Sequence, residues 1–212
     1  MGKDMSQYDN ATGFQPYGEL LRAQYYVVET APVIGFYVGD MVHFTTDGGA
    51  SILSPIMGYM PKIANDNVLA AGDQLIGAVL ACFDEHMDPV KYIAATDAGD
   101  GTIAGHLLVA DHPQQLFVAQ EDADANAITA VEGQCNAEVY PPALNAGNTG
   151  TGISKMEIDS SSAANTSTLH LRLLRPHPDD VAHVNGKWCR YICMINTHAY
   201  GNVGITAATG GG

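Results

Sequence analysis

The sequence predicts an all-β fold, a β-barrel or β-sandwich with an extended N-terminal arm and long loops. Three observations carry this. In the C-terminal half the runs LFVAQ, CNAEVY, KMEID, LHLRLLR and WCRYICMIN alternate with spacers of Gly, Asn, Ser, Thr, Ala, Asp and Pro, the pattern of short strands between turns. Residues 74–83, QLIGAVLACF, form a nearly continuous apolar run that suits a strand covered on both faces. No amphipathic stretch of about twelve residues or more reads as a helix.

The elements follow in chain order. Residues 1–24 mix Gly, Asp, Asn, Gln and Pro16 with Tyr8, Phe14 and Tyr17 and show no strand or helix period. This composition predicts an extended arm, whose isolated aromatics are candidate contacts with another subunit or simply part of a frayed end. The all-β domain is expected over residues 25–200, divisible into a barrel-like half at 25–120 and a second half at 121–200. It opens with QYYVVET, then VIGFYV and MVHFTT around Gly39-Asp40, which predicts a hairpin.

Residues 50–71 hold Pro55, Gly58 and Pro61 and read as a long loop. Residues 74–83 are placed as a strand rather than a helix because Gly77 interrupts them and Gly72-Asp73 precedes them. Strands at 90–95, 103–110 and 115–120 follow. Residues 121–129 are acidic and alanine-rich, fit for a helical turn or two, and 145–152 and 160–168 are spacers. Residues 201–212 form a Gly-rich tail.

In the last strong strand, side-chain alternation puts Trp188, Arg190, Ile192 and Met194 on one face and Cys189, Tyr191, Cys193 and Ile195 on the other. Both faces are mostly apolar, which fits the middle of a sandwich or an oligomer contact. Trp188 is therefore a core anchor that is also a candidate contact residue.

Composition narrows the function. The chain has 212 residues and 46% hydrophobic content, enough for a real core. Its 23 acidic and 9 basic side chains give a net charge of −14, so a polyanion would be repelled and direct nucleic-acid binding is not expected. Only 15% of residues are charged, leaving a surface of small polar residues suited to contact with protein. No apolar run is long enough for a membrane-spanning helix. The first residues lack a signal-peptide core, and Met1-Gly2 with Ser6 lacks the basic support of a myristoylation signal. The four cysteines, Cys82, Cys135, Cys189 and Cys193, read as buried thiols of a reducing compartment.

Several strings carry a chemical echo. His177-Pro178-Asp179-Asp180 resembles the zinc-binding loop of LmbE-like deacetylases, but Val181 stands where that family places an acidic residue and no α/β pattern surrounds it. A turn explains it better. His106 and His112, His177 and His183, and Cys189 and Cys193 have spacings that zinc sites tolerate; the two cysteines, about 13 Å apart along a strand, cannot share one ion. Asp84, Glu85 and His86 on a strand would point to alternate faces. Residues 97–101 lack the ligand pattern of a calcium loop, and the glycines at 147–152 lack the Lys of a phosphate loop. No Ser or Cys nucleophile motif is present. No catalytic, metal or cofactor residue is expected.

The order of segments resembles the head decoration, or cement, proteins of tailed bacteriophages, small proteins encoded near the major capsid protein. The resemblance runs through Gly39-Asp40-Met41-Val42, Gly77-Ala78-Val79 and Ala110-Asp111-His112-Pro113 into Leu116-Phe117-Val118-Ala119-Gln120. It continues through GNTGTGIS with Asp159 beyond, a Thr-rich spacer into LHLRLL, Asp179-Asp180, and Met194-Ile195-Asn196-Thr197-His198. His112 replaces a usual acidic residue, and residues 56–68 form a longer insert.

The resemblance implies a non-enzymatic virion protein, made in the host bacterial cytoplasm, that binds the outer capsid surface and stabilises it. Its implied partners are the major capsid protein and copies of itself as a dimer or trimer, with no cofactor, nucleic acid or membrane. Tyr8, Phe14, Tyr17 and Trp188 are the candidate intersubunit or capsid contacts. The alternatives are a head-fibre, tail or tube subunit, or a zinc-dependent hydrolase using His177, Asp179 and Asp180.

Overall fold

A computed structural model describes residues 10–44, 52–54, 58–63, 73–97, 99, 101–122, 135–140, 147–183 and 188–201. The fold is all-β: among these residues the one helical segment is a 3₁₀ stretch, Pro178–His183. Tyr8, residues 123–129 of the helical turn expected at 121–129, and residues 202–212 of the tail expected at 201–212 lie outside the described residues.

Two antiparallel sheets form the body. The first runs β1 (Gln15–Tyr17), β11 (Leu116–Gln120), β17 (Arg190–Ile195), β16 (Leu171–Pro176), β12 (Cys135–Tyr140) and β15 (Glu157–Ala164). The second runs β2 (Ala23–Glu29), β10 (Ile103–Ala110), β7 (Leu75–Phe83) and β4 (Met41–His43), with β8 (Pro89–Val90) beside β7. Three two-stranded ribbons complete the set: β3 (Phe36–Tyr37) with β9 (Tyr92–Ile93), β5 (Ile52–Ser54) with β6 (Gly58–Met60), and β13 (Gly147–Asn148) with β14 (Ile153–Ser154).

Alternation builds the core. Cys189, Tyr191, Cys193 and Ile195 all point into one cluster with Phe117, Leu171, Leu173, Ala137 and Ile158, as the period-2 pattern predicts. Phe117, Cys193, Leu173 and Cys135 lie in register across four strands. Met41, Leu75, Ala78 and Ala110 of the second sheet close this cluster, so the sheets pack face to face as a sandwich. The opposite face of the second sheet, with Tyr26, Val28, Val42, Ile76, Val79 and Leu107, is covered by Phe36, Ile63 and Ile93. β7 thus feeds both clusters, which is why its sequence is apolar throughout.

Four expectations need correction. Gly39 and Asp40 do turn the chain, with Asp40 N donating to Tyr37 O at 3.1 Å, but no hairpin forms: β3 pairs with β9 and β4 with β7. The loop at 50–71 contains the β5–β6 ribbon, and the spacer at 145–152 contains β13 and the turn that leads to its partner β14. The spacer at 160–168 supplies the second half of β15, because Ser160 and Ser161 gain side-chain partners in Asp122 and Asp159.

The arm does not stand apart either. Residues 15–17 add an edge strand to the first sheet, with Gln15 opposite Val118 and Tyr17 opposite Leu116. Phe14, expected as an intersubunit contact, is fully buried in this chain's own core. Its ring fills the space between the sheets, where removal from water is worth about 2 kcal/mol. Nor do the sheets follow a 25–120 and 121–200 division, since β1 and β11 complete the sheet built from the C-terminal strands.

Candidate functional site

The best-organised exposed surface is the loop at residues 18–22. Gln115, almost fully buried, accepts from Leu21 N through Oε1 at 2.9 Å and donates Nε2 to Glu19 O at 3.3 Å. Arg22, next in sequence, donates Nε to Asp111 Oδ1 at 2.8 Å and Nη2 to Asp111 O at 2.9 Å. A buried amide and a buried carboxylate therefore fix the loop while Leu20 and Leu21 stay 46% and 47% exposed.

Behind the loop Asp111 is shared. Tyr26, buried in β2, donates its hydroxyl to Asp111 Oδ2 at 2.7 Å and lies 3.2 Å from the Tyr200 hydroxyl. The Arg22 guanidinium sits 5.4 Å above the Tyr200 ring, a cation–π contact. His198 reaches this corner because its backbone bridges Leu75; burial holds its imidazole down at about 4, so the ring is neutral at pH 7. Leu20, Leu21, Arg22 and Tyr200 form one exposed patch, in which Arg22 and Tyr200 are of the residue types that concentrate binding energy at protein interfaces. Sequence reasoning missed it; an adjacent Leu pair between Gly18 and Arg22 in an otherwise polar arm was the available signal.

The residues expected as contacts fall elsewhere. Tyr17 is half-buried and packs edge-on against His177, with ring centroids 5.7 Å apart. Trp188 is half-buried, and its backbone occupies the left-handed region at φ 61°, sparsely populated for a bulky residue. Its N–H donates to Glu121 Oε1 at 2.7 Å, and burial raises the Glu121 carboxyl above its ordinary value despite that bond. Tyr17 thus reaches the corner of the first sheet that carries His177, Trp188 leads into β17, and Phe14 is withdrawn from the surface.

At the same corner the string His177–Asp180 serves architecture. Asp180 accepts Arg190 Nε at 2.9 Å, Nη2 at 3.1 Å and the Arg190 N–H at 3.0 Å. Its carboxyl is held below the ordinary range by these Arg190 bonds, which outweigh a burial effect of opposite sign. Such a bidentate pair is occupied in tying the 3₁₀ turn to β17.

Asp84, Glu85 and His86 depart from the alternation expected of them. They lie on a turn after β7, and their ligand atoms come within 4.8 Å of one another. Asp84 Oδ1 there accepts His86 N at 2.9 Å and Asp88 N at 2.8 Å, so the carboxylate caps the turn. All four cysteines are buried free thiols, and burial pushes Cys82 and Cys193 up to about 12 and Cys189 to about 11.

A polar cavity of about 430 Å³ opens between residues 10–12 and the β13–β14 ribbon. A three-way backbone junction ties together the chain segments that carry its lining: Phe14 N donates to Gly39 O at 2.8 Å, Val38 N to Gly152 O at 3.0 Å, and Ser154 N to Val38 O at 2.8 Å. Asp40 lies fully buried there, accepting Tyr37 N at 2.8 Å and a bond from Ser154, and burial raises its carboxyl to about 7.

The fold is an all-β sandwich that holds Leu20 and Leu21 out on an anchored loop beside Arg22 and Tyr200. No model of a known protein family matches the chain, no curated protein matches it, and no solved structure matches it.

Proposed function

We propose that this chain is a non-enzymatic structural protein of a virion, a decoration or cement subunit that binds the outer surface of a phage capsid and reinforces it. The observation that carries the reading is the rigid presentation of Leu20 and Leu21 by Gln115 and Asp111, beside Arg22 and Tyr200. Apolar side chains held out by buried polar anchors have little ordering entropy left to lose on binding. The net charge of −14 supports a coat role, because an acidic coat avoids stray nucleic acid during assembly. Many copies bridging capsid subunits would add buried interface and multivalency.

The edges of the first sheet favour this over a self-polymerising tube or fibre. β1 is a three-residue edge carrying Pro16. On the other edge, β15 runs from Asp159 to Ala164 while β12 advances only from Glu138 to Asn136. A proline and a bulge both blunt strand-to-strand addition. The test is to prepare capsids with and without the protein. Stoichiometric presence on particles, with heat resistance that falls when Leu20→Ser and Leu21→Ser are combined, is expected; particles lacking the protein, or unchanged in stability by its removal, overturn the reading.

A further inference from the structure

We propose that Asp40 is the latch of a pH-operated switch: when its carboxyl loses its proton, the β13–β14 ribbon lets go of the turn between β3 and β4. Asp40 is fully buried. One carboxyl oxygen, Oδ2, accepts Tyr37 N at 2.8 Å, and the Ser154 hydroxyl is a second partner of the carboxyl. The other oxygen, Oδ1, is buried with no hydrogen-bond partner among the described residues. A neutral carboxyl tolerates that place, whereas a carboxylate there is a buried charge with one oxygen unmatched.

No cation among the described residues relieves that charge. The titratable groups facing Asp40 are Tyr37 on β3 and Cys82 on β7, both held protonated by burial, Cys82 up to about 12. The ribbon offers the Ser154 hydroxyl and the arm the Gln15 amide beside Gly39, neither of them charged. Lys91 Nζ bonds to Gly150 O at the surface, and Lys155 is exposed. Burial accordingly raises the Asp40 carboxyl to about 7, where an ordinary change of pH ionises it.

The ribbon is the neighbour that can yield. A Cβ at Gly13 would overlap Gly39 O and the Ser154 side chain, so arm, turn and ribbon meet in direct contact beside Asp40. The arm is fixed by Phe14 and the turn by Met41, both fully buried in the core. The ribbon is held to the turn by Val38 N donating to Gly152 O at 3.0 Å and Ser154 N to Val38 O at 2.8 Å, with Gly147 against the Tyr37 ring. Residues 148–151 and 153 are exposed, and no side chain from 147 to 153 belongs to a core cluster. Opening there uncovers little apolar surface, as in units of low local stability. Met156, buried in the core, keeps β15 in place and makes residues 154–155 the hinge.

The test is amide hydrogen exchange of the whole chain between about pH 4 and 8, corrected for intrinsic rates and repeated in low urea. In the open state Asp40 titrates near the ordinary value of about 3.9, so opening releases a proton between about 4 and 7. Protection of the Val38 and Ser154 amides should fall about tenfold per pH unit up to about 7 and then level off. It should not respond to urea, whereas the Phe14 and β17 amides should exchange with the urea dependence of whole-chain unfolding. Asp40→Asn should keep Val38 and Ser154 protected at every pH, with a thermal melt showing that the variant folds; should it not fold, the parent's pH profile and urea response decide alone. A flat profile in the parent, a urea dependence equal to that of β17, or an unchanged slope in folded Asp40→Asn overturns the proposal.

Discussion

The hydroxyl of Tyr26 donates to the carboxylate of Asp111 at 2.7 Å, both groups buried and 85 residues apart in sequence. The same carboxylate holds Arg22 at 2.8 Å, so one acidic group joins the second sheet to the loop that presents Leu20 and Leu21.

Removing Arg22 should therefore cost more than an ordinary surface pair. The Arg22 side chain is 38% exposed and Asp111 fully buried; Arg22→Met leaves a buried charge with Tyr26 as its remaining side-chain donor, expected to cost about 3 kcal/mol. Arg22→Met with Asp111→Asn should recover part of this loss. Urea midpoints of the single and double variants measure the coupling, and additive losses would contradict it.

Asp40 and His198 give stability opposite pH slopes. Asp40 keeps its proton to about 7 in the folded chain, while an unfolded Asp loses it near 3.9. Unfolding then releases a proton in that window, and the Asp40 contribution falls as pH rises from about 4 to 7. His198, held at about 4, takes up a proton on unfolding between about 4 and 6.5, so its contribution rises with pH there. Asp40→Asn should remove the falling slope alone, leaving the variant progressively more stable than the parent between pH 4 and 7, by about 4 kcal/mol at most. Denaturant unfolding across that range measures it; parallel curves would refute it.

Gly147 lies against the ring of Tyr37, which stacks on Tyr92 at 5.0 Å with the planes 8° apart. A Cβ at 147 would overlap the Tyr37 ring. Gly147→Ala should therefore destabilise by about 1–3 kcal/mol and alter the near-UV tyrosine signal. The comparison is Gly150→Ala, where a Cβ meets only Asn148 Oδ1, at 3.1 Å, and a loss smaller than that of Gly147→Ala is expected.

The buried thiols should be silent. At pH 8 the native protein is expected to react with a disulfide reagent far more slowly than a free cysteine, because Cys82, Cys189 and Cys193 are covered and held protonated. All four should react promptly in denaturant. Rapid native labelling would contradict the packing.

Much of the fold was legible because its signals are local. Residues 190–195 alternate cleanly, and the structure buries the predicted face; residues 74–83 are apolar throughout, and β7 lies between two clusters. The hairpin at Gly39-Asp40 failed because two strands flanking a turn have other partners available, and β7 and β9 outcompeted the local pairing. The β13–β14 ribbon and the end of β15 are small polar residues with no period, ordered by Asn148 and Asp159 side chains.

By itself the sequence determined the all-β class, the strand faces, the acidic surface and the thiol character of the cysteines, each a property of composition or of period two. Only the tertiary structure decided that Phe14 belongs to the core, that Asp180 clamps Arg190, and that Gln115 and Asp111 hold out Leu20 and Leu21. The last of these depends on residues about 90 places apart meeting through sheet order, and neither periodicity nor composition encodes which strands become neighbours.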